Sequence, residues 1–345
     1  MHHVTKFLQR IMLALLPIGV ATTTAQADDT CNHALNLNGH KIPYCRTHPL
    51  NTENKGITRA VIVVHGASNN AVDYFGWAKR AAEAVGSMQQ VSILAPQFLD
   101  NQDQAENNDS NNTYEYWTGD TWRLGFKSSS GSQLTSYEWL DQLVDRLLDK
   151  HPNLVHIAVV GFSGGGQMVQ RYAGVAESYD TAIAASVTMS FVVMSPGSYM
   201  WLNDSRIGSY DNCAKTYDAG GYGVPGMAGF AYAKSRGISA DQIRLNHATR
   251  PIYHAVGLDD NLRDAPFDTS CEADSQGDTR LERAIQYSKN RRPACSDALS
   301  LAQRPPEGCD KFSERDYRVE IVPGVGHKAR DMFYSNVGRD LLFFR

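Results

Sequence analysis

Val159-Val160-Gly161-Phe162-Ser163-Gly164-Gly165-Gly166 lies between a β-branched apolar run, Val155 to Val160, and a helical stretch, Gly164 to Ser178. It carries the pattern G-x-S-x-G at a strand-to-helix turn. A nucleophilic serine needs such a place: the sharp turn exposes its hydroxyl, and the flanking glycines let strand and helix approach closely. The turn also sets Ser163 at a helix N-terminus, where N–H groups and the helix dipole favour a developing oxyanion. The pattern alone is weak. At ordinary Gly and Ser usage a chain of this length shows it by accident about one time in ten. Its position between a buried strand and a helix gives it weight.

Five more short apolar runs lie on either side: Ala60–Val64, Val91–Leu94, Ser190–Met194, Pro251–Val256 and Tyr317–Val322. Most are continuous rather than alternating, as in strands buried on both faces of a parallel sheet. Asn70–Val85 and Glu138–Lys150 read as helices. The second puts Trp139, Leu140, Leu143, Val144, Leu147 and Leu148 on one face, and Thr135-x-x-Glu138 forms a capping box ahead of it. Strands alternating with helices predict an α/β fold, a mostly parallel central sheet flanked by helices.

Three strand ends supply what a serine nucleophile needs. After the first run comes His65-Gly66-Ala67-Ser68. An oxyanion hole takes one N–H from the residue after the nucleophile, here Gly164, and another from a loop after an upstream strand. Ala67 is the preferred second donor, with Ser68 behind it; His65 reads as a structural residue orienting the loop. After the fifth run comes Gly257-Leu258-Asp259-Asp260. An acid there would fix a histidine in one tautomer and stabilise its imidazolium. Asp260 is preferred over Asp259, and both would also serve as turn or cap residues. After the last run comes Pro323-Gly324-Val325-Gly326-His327. A histidine titrates near neutral pH and suits a general base. Among eleven histidines, His327 is the one at a strand end downstream of both serine and acid.

The order Ser163, Asp260, His327 resembles that of the α/β-hydrolase superfamily, and His65-Gly66 looks like its oxyanion loop. The resemblance runs from about Ala60 to the C-terminus and implies the α/β-hydrolase fold and serine esterase-like chemistry needing no cofactor and no metal. The superfamily commonly places its acid three residues after a glycine, which Asp260 satisfies. Asp260-Asn261-Leu262-Arg263-Asp264 is similar to the D-P-L-R-D of one esterase branch, with Asn in place of Pro, but that branch's HGGG loop is absent. Tyr116–Trp122 and Ser195–Leu202 resemble segments of secreted hydrolases. Their Trp117, Trp122, Tyr199 and Trp201 would either line an acyl pocket or pack loops onto the core.

Residues 1–27 read as a signal peptide. Lys6 and Arg10 precede an apolar run, Ile11 to Ala21, and Ala25-Gln26-Ala27 fits a small-x-small cleavage site. An uncleaved anchor is the rival reading, and the run is shorter than the roughly 20 residues that span a bilayer. Residues 28–345 are expected to form one domain, secreted or periplasmic, with no integral membrane segment. The net charge of −4 argues against nucleic acid as a partner. The expected substrate is an ester-containing small molecule or polymer. A peptidase on the same fold, or a binding protein that has lost catalysis, are the alternatives.

Six cysteines at 31, 45, 213, 271, 295 and 309 favour disulfides in an exported chain. Short loops favour Cys31–Cys45 and Cys295–Cys309, leaving Cys213–Cys271. Asp100–Thr113 reads as a solvated loop, and its acids lack the spacing of a calcium site. Insertions are expected near 195–247, as a partial cap or surface excursion, and near 268–310, as a polar segment stapled by disulfides.

Overall fold

The structure is a computed structural model, described for residues 30–106, 113–206, 213, 216–264, 266–301 and 318–345. Five of the six apolar runs become strands with a layer to meet on each face; the sixth, Val319–Val322, is among the described residues a partly exposed edge strand. In β3 (Arg59–Val64), Ala60, Ile62 and Val64 join one hydrophobic cluster while Val61 and Val63 join the other. In β5 (His156–Phe162), Ile157 and Val159 face one way and Ala158, Val160 and Phe162 the other. Side chains alternate across a strand, so a run apolar on both faces is a strand with a core on each side.

The other strands are β1 (Thr30–Leu37), β2 (His40–Arg46), β4 (Val91–Pro96), β6 (Thr188–Met194), β7 (Ile252–Gly257) and β8 (Val319–Val322). All eight join one sheet in the order β1-β2-β4-β3-β5-β6-β7-β8. From β4 to β8 every pairing is parallel; β1–β2 and β2–β4 are antiparallel. The sequence reading did not include β1 and β2.

Helices cover both faces. They are α1 (Ala71–Ala84), α2 (Asn101–Glu106), α3 (Ser136–Lys150), α4 (Gly164–Val175), α5 (Glu177–Ala184), α6 (Val224–Ala228), α7 (Ala231–Ser235), α8 (Ala240–Thr249), α9 (Cys271–Asp274), α10 (Arg280–Leu301), α11 (Ala329–Tyr334) and α12 (Asn336–Phe343). α1, α11 and α12 supply one cluster; α3, α4 and α8 pack into the other. The capping box of α3 forms in full, Thr135 accepting from the Glu138 N–H and Glu138 accepting from the Thr135 N–H.

Three expectations change. Asp100–Thr113 opens with α2 rather than running as loop throughout. The stretch expected as one helix, Gly164–Ser178, ends at Val175, and α5 starts at Glu177 after Ala176 takes non-helical angles. The described part of the 268–310 segment is helical rather than looped: it holds α9 and the 22-residue α10, whose Ala284 and Tyr287 enter the core beside fully buried Arg280 and Arg283. Cys31 pairs with Cys45, and Cys213 with Cys271. The expected Cys295–Cys309 pair lies outside the described residues at Cys309, and so does the expected signal peptide.

Candidate active site

Ser163 follows β5 directly and caps the start of α4 with φ 58° and ψ −118°. A residue with a Cβ pays for a positive φ, by about 1–3 kcal/mol, and persists there only when its surroundings impose it. They do so here. The Ser163 N–H donates to the Met194 carbonyl at 2.9 Å, and its own carbonyl accepts from the Gln167 N–H at 3.0 Å. Gly165 lets the turn close: a Cβ there would stand 2.3 Å from the Val64 carbonyl oxygen. The hydroxyl is thereby aimed over the end of the sheet.

His327 follows β8 on a tight loop. Gly257 makes room for this loop, since a Cβ on it would meet the Val325 carbonyl oxygen at 2.0 Å. The Leu258 and Asp259 N–H groups donate to the Val322 and Val325 carbonyls at 2.8 and 3.0 Å, tying the β7 loop to the β8 loop. The imidazole packs 4.8 Å from the Phe162 ring. Its Nε2 is 3.0 Å from Ser163 Oγ and its Nδ1 is 2.9 Å from Asp260 Oδ2. With neutral imidazole, Nδ1–H donates to the carboxylate and Nε2 is left to accept the serine proton. Asp260 is 1 % exposed, whereas Asp259 is exposed on the surface. Of the two aspartates, Asp260 is therefore the one placed against the histidine.

Gly164 and Ala67 also come together. A Cβ on Gly164 would lie 3.0 Å from the Ala67 nitrogen. Gly164 heads α4, where the first N–H groups have no intrahelical acceptor. His65 anchors the Ala67 loop from beneath. Its Nε2 accepts from the Phe98 N–H at 3.0 Å, so Nδ1 carries the proton and donates to the Gly66 carbonyl at 2.8 Å. Burial holds its pKa down to about 4, which keeps this neutral tautomer in place.

Two clefts meet at Ser163. One, of 690 Å³, runs past Arg123, Gln167, Arg171, Ser198, Tyr222 and Phe267. The other, of 440 Å³, is bordered by Tyr74, Trp77, His327 and Lys328. Ser163, Ala67 and Pro266 line both. None of the four aromatics considered for a pocket borders either cleft. Trp117, Trp122, Tyr199 and Trp201 are core residues, at most 2 % exposed. Trp122 stacks on Phe98 and lies 4.8 Å from the His65 ring; Tyr199 stacks on Tyr287 of α10 at 4.3 Å. Large rings at loop bases gain more from burial than from facing an open cleft. The 195–247 segment does reach the site, through Gly197, Ser198, Gly221 and Tyr222.

Residues the sequence reading did not single out make up much of the first cleft. Arg123 donates to Gln167 Oε1 at 2.8 Å and pairs with Asp120. Arg171, 2 % exposed, donates to the Gly221 and Gln167 carbonyls at 2.9 and 3.0 Å. Arg171 stands eight residues beyond Ser163, two turns along α4, a spacing that could have flagged it. No local pattern marks Arg123. Among the described residues, no group of three or more His, Cys, Asp or Glu side chains is arranged to hold a metal.

A doubly covered, mostly parallel sheet, a serine between strand and helix, and an acid and a histidine on the next strand ends occur together. The chain has the α/β-hydrolase fold. Comparison with solved structures agrees. A poly(3-hydroxybutyrate) depolymerase, LpqC from Bordetella parapertussis, superposes with a TM-score of 0.57 at 19 % identity, over 92 % of this chain and 87 % of that one. Poly(aspartic acid) hydrolase-1 from Sphingomonas sp. KT-1 gives 0.56 at 17 % identity, over 90 % and 98 %. No family model matches the sequence, and no curated protein does.

Proposed function

We propose that the chain is a secreted serine hydrolase that cleaves carboxylic esters through an acyl-enzyme. The observation that carries this reading is His327 bridging Ser163 Oγ and Asp260 Oδ2. His327 Nε2 takes the Ser163 proton as Oγ bonds to the ester carbon. The carbonyl oxygen gains negative charge opposite the N–H groups of Gly164 and Ala67. Collapse of that intermediate breaks the bond to the alkoxy oxygen, which leaves with the proton from Nε2. A water then repeats the sequence on the acyl-enzyme and frees the acid and Ser163. Asp260 stays ionised and holds the imidazole in register.

His327 delivers its proton toward the 440 Å³ cleft it borders, which assigns that side to the alcohol and the 690 Å³ cleft to the acyl group. A nucleophile at the junction of two clefts suits an ester with bulk on both sides of the scissile bond, as in a polymer. Two neighbours of the same fold are named for polymer substrates.

Export is part of the proposal. Two disulfide pairs suit an oxidising compartment, and no helix among the described residues is long and apolar enough to cross a membrane. N-terminal sequencing of the protein recovered from outside the cytoplasm is expected to begin at Asp28. Purified protein is expected to hydrolyse short p-nitrophenyl esters and to be labelled by a fluorophosphonate, with both lost in Ser163→Ala. Turnover that survives Ser163→Ala would refute the reading.

A further inference from the structure

Asp260 faces a second partner besides His327. Its Oδ1 lies 3.5 Å from Nη1 of Arg280, the first residue of α10, and Arg280 is 0 % exposed. Among the described residues these are the two partners of that carboxylate. Arg280 also pairs with Asp264 at 3.3 Å, donates to the Pro266 carbonyl and lies 4.8 Å from the Phe267 ring. The Leu281 N–H donates to the Asp260 backbone carbonyl at 3.1 Å. One buried guanidinium thus links the acid beside His327 to the Asp264–Phe267 segment that borders both clefts.

We propose that Arg280 is a positioning residue for the Asp260–His327 pair, seating the carboxylate so that Oδ2 alone faces the imidazole. The inference rests on the Ser163–His327–Asp260 reading above. A carboxylate with one free oxygen can rotate, and its two oxygens are equivalent acceptors; engaging Oδ1 removes that freedom. A buried charge is tolerated only when paired, and Arg280 supplies the pairing from a fixed helix end. The charged and titratable groups around the pair are Asp264 on the β7 loop, Arg280 on α10, the Tyr199 hydroxyl, and Tyr74, Lys328 and Arg330, which border the 440 Å³ cleft with His327. Of these, Arg280 is the buried cation in contact with Asp260.

The sign of its effect follows. A cation beside Asp260 opposes protonation of His327, and the base must be neutral to act. Removing it lets the imidazolium persist to higher pH, so the acid limb of kcat/KM moves upward.

The test uses the full chain as Arg280→Met, Arg280→Lys and wild type. In Arg280→Met the acid limb is expected to rise by about one pH unit, with kcat at the plateau falling about tenfold or more and KM little changed. Arg280→Lys is expected to restore the wild-type limb. An NMR titration of the His327 imidazole reads the same rise without any substrate. Should Arg280→Met fail to fold, Arg280→Gln takes its place. An unmoved imidazole titration in the neutral variant overturns the proposal, as does a kcat loss with an unshifted limb, which marks loosened packing alone. A wild type that hydrolyses no ester overturns the functional reading instead, and the imidazole titration still decides on Arg280.

Discussion

Asp259 and Asp260 share a strand end, yet one is exposed and the other is held by His327 and Arg280. The difference arises from the tie between the β7 and β8 loops, where the Asp259 N–H donates to the Val325 carbonyl and the Asp260 N–H turns back to the Gly257 carbonyl. Asp260→Asn presents an amide to Nδ1 and favours the wrong tautomer, so kcat is expected to fall by roughly 10³–10⁴. Asp259→Asn is expected to stay within about twofold of wild type, since an exposed charge is screened by solvent. Steady-state kinetics on one ester substrate separates the two; equal losses would mean the acid has been misassigned. In the sequence the choice rests on the resemblance alone, the acid standing three residues after Gly257; in the fold it is made by the loop that carries Val325 and His327.

At the scale of elements, α3 shows how directly a pattern becomes structure. Thr135 and Glu138 satisfy its first N–H groups, and Trp139, Leu140, Leu143, Val144 and Leu147 are buried. Thr135→Ala is expected to cost about 1 kcal/mol of stability, read as a lower urea midpoint with an unchanged slope. Strands β3 to β7 are legible for the same reason: burial on both faces leaves a continuous apolar run. The β1–β2 hairpin hides because its residues are largely polar and only partly buried. It did carry a signal. Asn38-Gly39, both at positive φ, is the two-residue turn that a tight hairpin prefers. α10 is hidden more deeply, since its inward face carries Arg280, Arg283 and Tyr287, and arginines read as surface residues until their partners are known. The site was legible as positions on strand ends. Arg123 and Arg280 were not, because their contacts lie between elements distant in sequence, whereas Arg171 carried the helical spacing from Ser163 as its signal.

Across the whole molecule, buried histidines set the response to acid. Burial holds His48, His65 and His156 down to about 4 and His247 to about 3, with His254 well below its ordinary value of 6.5. In the unfolded chain these rings take up protons below about 6.5; in the folded chain they do not. Stability from this source is full above that pH and drains away as pH falls toward 4. Asp141 acts the other way. Burial raises it to about 6 despite hydrogen bonds from Tyr172 and Tyr232 at 2.6 Å. It keeps a proton between about 4 and 6 that the unfolded chain has released; burial also raises Asp145 and Asp218, and it lowers His151 too, so three carboxyls stand against six imidazoles. The urea midpoint is expected to be lower at pH 5 than at pH 7.5; an equal or higher midpoint would show that these rings take up protons in the native state.

His327 lies 164 residues beyond the serine it touches and follows β8, which among the described residues is an edge strand paired with β7 alone. On the proposed reading, turnover therefore waits until the His327 loop has docked beside Ser163. During refolding, the central sheet and its tryptophans can reach their native surroundings while the hydroxyl of Ser163 still has no base beside it. Under that reading, recovery of turnover follows the docking of β8 and the His327 loop, and comparing its rate with that of the core fluorescence tests whether this docking comes last.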